Sequence, residues 1–178
     1  MGQGKREWRS DPGVVTWDIM EISHPIFHDI IKSIIQFECE DVFEICKTLP
    51  ETKDSRIFKS GYWEFKESHQ EHIIETQGAL FAKADGVWTF RTRQNVYPSN
   101  QEYRIIHEVK TGKYDLTKVY AKAYAWQGSQ LWIWGWPTQH LQNIPNATFS
   151  KNVRQINIRA LEPIYTRLLT RFIEQSKI

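Results

Sequence analysis

Asp85 stands in one apolar stretch, FAKADGVW, and Glu108 and Lys110 stand two apart in another, RIIHEVKTG. Residues two apart on a strand project from the same face as neighbours. If the two stretches pair, Asp85 and Glu108 offer hard carboxylate oxygens to one divalent ion. Lys110 then stands beside the water or phosphate that such an ion organises. An ion that makes hydroxide available, with a lysine that adds positive charge without holding the metal, is a sensible device for hydrolysing a phosphodiester. Lys83 shares a side with Asp85 and reads either as a second positive group at the site or as a salt-bridge partner.

Glu38 is a candidate third carboxylate. On a continuous helix through Phe27, Ile30, Ile31, Ile34, Val42 and Ile45, Glu38 falls in the middle of the apolar arc, while Glu40 and Glu44 point away. A carboxylate aimed at a core needs a partner or a metal. An interior Lys or Arg would satisfy it equally. A second Glu-x-Lys triplet, Glu64-Phe65-Lys66, follows Asp54. Its polar continuation, KESHQEH, makes it the weaker choice beside the apolar setting of Glu108.

The elements that must position these residues are legible in outline. Ser23 reads as a helix N-cap with Pro25 in the first turn, and the helix is expected to run to about Thr48, before Pro50. A short strand is expected around Gly61–Phe65, then strands at His72–Thr76 and Ala79–Val87, with Trp88–Arg93 continuing the latter. Tyr103–Lys110 is a further strand, with Ile106, Glu108 and Lys110 on one side and Ile105, His107 and Val109 on the other. Asp115 caps a helix to about Gln127, Gln130–Trp136 is a strand, Val153–Arg159 a last strand, and Pro163 opens a final helix. The helix between the strands at Tyr103 and Gln130 implies that they lie parallel in a mixed sheet.

Asp85 and Glu108-Val109-Lys110 in this setting resemble the PD-(D/E)XK nuclease superfamily, in particular compact archaeal or viral RecB-like and Holliday-junction-resolvase-like nucleases. The resemblance covers about two-thirds of the chain, from Ser23 to Trp136. It implies an α/β, restriction-endonuclease-like core: a mixed central β-sheet flanked by helices, in the order α-β-β-β-α-β, with a C-terminal helix added. Residues 1–22 would form an N-terminal arm, 23–136 the core, and 137–178 a C-terminal loop, strand and helix of the same single domain. It further implies a Mg²⁺- or Mn²⁺-dependent deoxyribonuclease acting on DNA, with a place in recombination or repair. Asp85, Glu108 and Lys110 would be catalytic, and Glu38, Asp85 and Glu108 would hold the metal. Lys118 and Lys122, four apart on the helix after the lysine, would contact DNA phosphates, with Lys83 and Tyr124 beside them. RecB-like exonucleases carry Gln-x-x-x-Tyr on that helix. Here Tyr124 has Tyr120 four residues before it, so endonuclease and exonuclease both stay open.

Other residues fit this frame or stand apart from it. Trp132, Trp134 and Trp136 alternate on a strand that reads as buried on both faces, as a homodimer interface, or as a base-stacking platform. His24 and His28 read as a surface pair, and His107 as a packing residue. Arg167 and Arg171 face phosphate or solvent. Cys39 and Cys46 are too few for a disulfide scaffold or a four-Cys metal site, and read as reduced thiols in a cytoplasmic compartment.

The 178 residues suit one domain, and 40% hydrophobic content with 8 Trp excludes a disordered polar chain. A mean hydropathy of −0.54 with no long apolar run excludes a membrane-spanning helix, and no secretory signal is visible. The net charge of +2 conceals an uneven layout: residues 1–82 sum to −6, 83–122 to +4 and 147–178 to +4. The basic segments contain and follow Glu108 and Lys110, where a phosphate backbone would lie.

Overall fold

The computed structural model describes residues 14–17, 20–70, 73–75, 81–97, 100–111, 130–136 and 152–176. A two-stranded ribbon, β1 (Val14–Trp17) with β2 (Met20–Ser23), leads into helix α1 (His24–Phe37). Phe27, Ile31, Ile34 and Ile35 are buried at the spacing of one helical face. The chain then turns at Glu38 into α2 (Cys39–Cys46), followed by the single turn α3 (Arg56–Lys59).

Five strands make a mixed sheet in the order β3 (Trp63–Gln70), β6 (Gly86–Thr92), β7 (Glu102–Lys110), β8 (Gln130–Gly135), β9 (Val153–Asn157). β3, β6 and β7 are antiparallel neighbours, and β7, β8 and β9 run parallel. β4 (Ile73–Glu75) and β5 (Phe81–Lys83) pair only with each other. Asn157 ends β9 and its side chain accepts the Arg159 N–H at 3.0 Å, capping a 3-10 turn (Ile158–Leu161) that runs into α4 (Glu162–Ser176). This is an α/β fold, a mixed five-stranded sheet flanked by helices.

Indole and aromatic rings bind the helices to one sheet face. Trp88 donates its indole N–H to the Ile35 carbonyl at 3.1 Å, and Trp136 stacks on Phe27 with ring centroids 5.9 Å apart. Trp88, His107 and Trp132 meet edge to face on this side. Alternation puts Val87, Ile106, Leu131 and Ile133 on the opposite face, and these are buried too. A sheet covered on both faces explains why β8 reads as an unbroken apolar run. The tryptophans of β8 thus lie in a central strand between β7 and β9, buried, which is the first of the three readings open to them. One apolar cluster runs from Phe27 of α1 through the sheet to Tyr165 of α4. No helix among the described residues is long and apolar enough to cross a membrane.

Three expectations need correction. The first sheet strand is Trp63–Gln70, whereas Ile73–Glu75 belongs to the separate ribbon. The expected strand Ala79–Val87 divides at Ala84–Asp85, because Asp85 bends the chain to bond β7 with both its amide and its carboxylate. The expected single helix to Thr48 breaks at Glu38, whose φ of −108° and ψ of 30° leave the helical region. The helix expected from Asp115 to Gln127 lies outside the described residues.

Candidate functional site

Asp85 sits at the mouth of β6, and the register of that strand decides what it faces. Gly86 pairs with His107, so Asp85 comes opposite Glu108 at the end of β7. The Asp85 amide donates to the His107 carbonyl at 3.1 Å, and Asp85 Oδ2 accepts the Val109 N–H at 2.8 Å. Lys110 Nζ lies 3.4 Å from Glu108 Oε2. Glu108 is 1% exposed and Lys110 about a quarter exposed, so the carboxylate is interior and the ammonium reaches the surface. The Asp and the Glu-x-Lys triplet, 23 residues apart in sequence, therefore meet at one sheet end.

Two residues of α1 also stand at Asp85. His28 Nε2 stands 3.5 Å from Asp85 Oδ2, and Lys32 Nζ stands 3.9 Å from Asp85 Oδ1. Lys32 is only 5% exposed. His28 and Lys32 are four apart, hence stacked on one helix flank. Burial would raise the Asp85 carboxyl, but the His28 imidazole, the Val109 N–H and the nearby Lys110 charge outweigh it and hold it below the usual carboxylate range. Contact with Asp85 raises the His28 imidazole above its ordinary value, against the opposing pull of burial and Lys32. The same imidazole faces the Val109 carbonyl. The Asp85 anion is thus favoured by His28, the Val109 N–H and Lys110 together.

The other sequence candidates fall elsewhere. Glu38 bonds Arg167 Nη2 of α4 at 3.3 Å, and Asp41 shares that guanidinium at 2.6 Å. It lines an apolar groove of about 430 Å³ with Ile26, Ile30 and Phe37. Counting at 100° and 1.5 Å per residue, Glu38 lies roughly 9 Å along the axis from Lys32 and well round the helix from it. The wheel that aimed Glu38 at the core assumed a straight helix, and the break at Glu38 removes that premise. The ribbon backbone of Lys83 is described, its side chain is not, and Lys118, Lys122 and Tyr124 lie outside the described residues. The alternative triplet is taken up in cross-strand pairs: Glu64 with Arg91 at 2.7 Å and Lys66 with Glu102 at 2.6 Å. Asp54 is exposed beside neither. Arg167 binds carboxylates, and Arg171 is exposed.

Sequence reasoning missed Lys32 and took His28 for one of a surface pair, whereas in the structure it faces Asp85. Their signal was a His and a Lys, four apart, bordering the apolar arc of Phe27 and Ile31. His107, by contrast, is the packing residue expected of it. Its Nδ1 accepts the Trp134 indole N–H at 3.0 Å, and total burial pushes its pKa down to about 3.

Asp85 and Glu108 are donors of the type a hard divalent ion takes. Lys32 Nζ, 3.9 Å from Asp85 Oδ1, is too far for a hydrogen bond to it. Two carboxylates fit such an ion by donor type. No group of three His, Cys, Asp or Glu side chains among the described residues is arranged to hold one. Comparison with known proteins returns nothing: no family model, no curated protein and no solved structure matches the chain.

Proposed function

We infer that the protein is a metal-dependent DNA nuclease with a restriction-endonuclease-like core. The observation that carries the reading is the register that sets Asp85, at the start of β6, against Glu108-x-Lys110, at the end of β7. The element order supports it: α1, then three antiparallel strands, then a parallel strand joined after the intervening residues 112–129.

In that function Asp85 and Glu108 would hold Mg²⁺ or Mn²⁺, with Glu108 buried and Asp85 kept ionised by its neighbours. A bound ion would polarise the attacking water and offset charge on the phosphate. The chain's own part is positional and electrostatic. The Val109 N–H and the His28 imidazole fix the orientation of Asp85. Lys110 sets a positive charge where the pentavalent phosphate would develop its negative charge. Lys32 adds a second, buried charge on the α1 side. Incubation with plasmid, linear, single-stranded and branched DNA under Mg²⁺ or Mn²⁺ tests this. Asp85→Ala and Lys110→Ala should each lower cleavage at least ~100-fold, in line with losing an electrostatic group at a reacting centre. Variants that cut as well as the parent would remove the assignment.

One observation favours a second reading, a non-catalytic nucleic-acid-binding module on the same fold. Asp85 is already faced by His28 and Lys32, and Glu108 by Lys110. Such a module would bind DNA in EDTA and release no product under any metal.

A further inference from the structure

Four large hydrophobic side chains among the described residues are exposed: Ile26, Phe37, Tyr62 and Tyr97. They fall into two sets. Ile26 and Phe37 flank the groove beside Asp29 and Glu38. Tyr62 and Tyr97 both belong to the other end of β6 from Asp85, in a basic setting. Tyr62 directly precedes β3, and its carbonyl accepts the Arg93 N–H at 2.8 Å. Tyr97 stands in the turn from β6 to β7, 95% exposed, between Asn95 and Asn100, which both take left-handed backbone angles (φ 68° and 59°). Asn tolerates that region better than most residues.

The charge around these rings is positive and largely uncompensated. Residues 53–66 carry 4 basic and 2 acidic side chains, and residues 91–104 carry 3 and 1, a net +4 for the two segments. Glu64 and Glu102 are taken by Arg91 and Lys66. Arg56, Lys59 and Arg93 make no ion pair among the described residues, and all three are exposed. The Arg56 guanidinium lies over the Trp63 and Tyr103 rings, 5.5 and 5.6 Å from their centroids. Cation–π contact with two rings holds that charge in place at the sheet end.

An aromatic face open to water, with fixed cations at its rim, has a natural ligand. Every base has a π-face that stacks on tyrosine, and each phosphate between bases meets a guanidinium or ammonium. A duplex hides its base faces, and a single strand alternates an exposed base face with a phosphate at every residue. We propose that Tyr62, Tyr97, Arg56, Lys59 and Arg93 form a binding surface for single-stranded nucleic acid, separate from the Asp85–Glu108–Lys110 cluster. β6 spans seven residues, so roughly 25 Å of sheet separates Asp85 from Arg93. The surface therefore holds a strand without touching the reacting centre.

Fluorescence anisotropy in EDTA, with labelled oligothymidine, oligouridine and a duplex of equal length, tests this whether or not the protein cleaves. At least one single strand should bind more tightly than the duplex, and oligodeoxyuridine set against oligouridine then identifies the sugar. Tyr62→Ala with Tyr97→Ala should weaken that binding about tenfold or more, as stacked bases lose their platform. Lys59→Ala with Arg93→Ala should flatten the slope of log K against log salt by about 1.4, two phosphate contacts on a single strand. These side chains are exposed, so thermal melting of each variant should match the parent. Unchanged affinity in the tyrosine double variant, an unchanged salt slope, or a preference for duplex would overturn the proposal.

Discussion

The ionisation of Asp85 is decided by competition. Burial alone would favour the neutral acid, yet an amide N–H, an imidazole and a lysine charge favour the anion and prevail. His107, one strand away, shows the opposite outcome. It is fully enclosed by Trp88, Trp132 and Trp134, and burial outweighs the Asp85 charge that would raise it. Its folded pKa of about 3 lies below the ordinary 6.5, so the unfolded chain takes up a proton that the native state refuses. The stability it contributes is complete above about pH 6.5 and falls as the pH drops towards 3. The loss is about 1.4 kcal/mol per pH unit, or about 2 kcal/mol by about pH 5. His107→Gln keeps an acceptor for the Trp134 indole and cannot titrate. Its denaturant midpoint should therefore decline less steeply than the parent's between pH 6.5 and 4, and equal slopes would show that His107 is not the group responsible. At this scale Asp85, Glu108 and Lys110 were readable because a charge in an apolar strand conflicts with its surroundings. His28 and Lys32 were not. Their reason for being there is a carboxylate more than fifty residues away, which no local pattern discloses.

Helix α1 and its break show what periodicity omits. The i to i−4 bonds persist on either side of Glu38, from Glu38 N to Ile34 O at 2.9 Å and from Val42 N to Glu38 O at 3.0 Å. Between them the Ile35 carbonyl accepts the Trp88 indole N–H, and a sheet side chain thereby engages the helix backbone where the axis changes. A hydrophobic wheel carries no sign of that contact, so it rotated Glu38 inward. In the fold the carboxylate turns to Arg167, and Glu38→Gln is the direct check. It should leave cleavage within about threefold of the parent, and lower stability by no more than about 1 kcal/mol because the pair is partly exposed. A ~100-fold loss of cleavage would return Glu38 to the metal. The strands were easier to read where two faces are buried. Residues 130–136 and 103–110 were located within a residue, whereas β3, polar on its exposed side, was seen only at its start. The division at Asp85 was missed because Ala82, Ala84 and Val87 continue an apolar run straight through it.

Across the whole molecule, the parallel pairing of β7 with β8 followed from the helix expected between them, and the structure has that pairing. Net charge was the less informative number. Residues 24–51, comprising α1, α2 and the turn after them, carry 2 basic and 6 acidic side chains, a net −4, against the +4 at the Tyr62–Tyr97 end. The two regions adjoin: Phe43 of α2 packs on Phe58 of α3, with centroids 5.0 Å apart. A polyanion on the basic end is therefore repelled by the acidic helices beside it and is confined to the sheet end. Glu40 and Glu44 are exposed and lie on the α2 surface next to Phe65. Glu40→Gln with Glu44→Gln should tighten oligothymidine binding several-fold at ~0.01 M salt, where charges act over about 30 Å, and by less than about twofold at ~0.15 M, where they act over about 8 Å. Neutral residues at both positions loosen the exposed Glu44–Lys47 pair but leave every contact of the tyrosine surface intact, so that surface feels only a change of field. If affinity is unmoved at low salt, the strand does not pass near α2, and the acidic helices do not set its path.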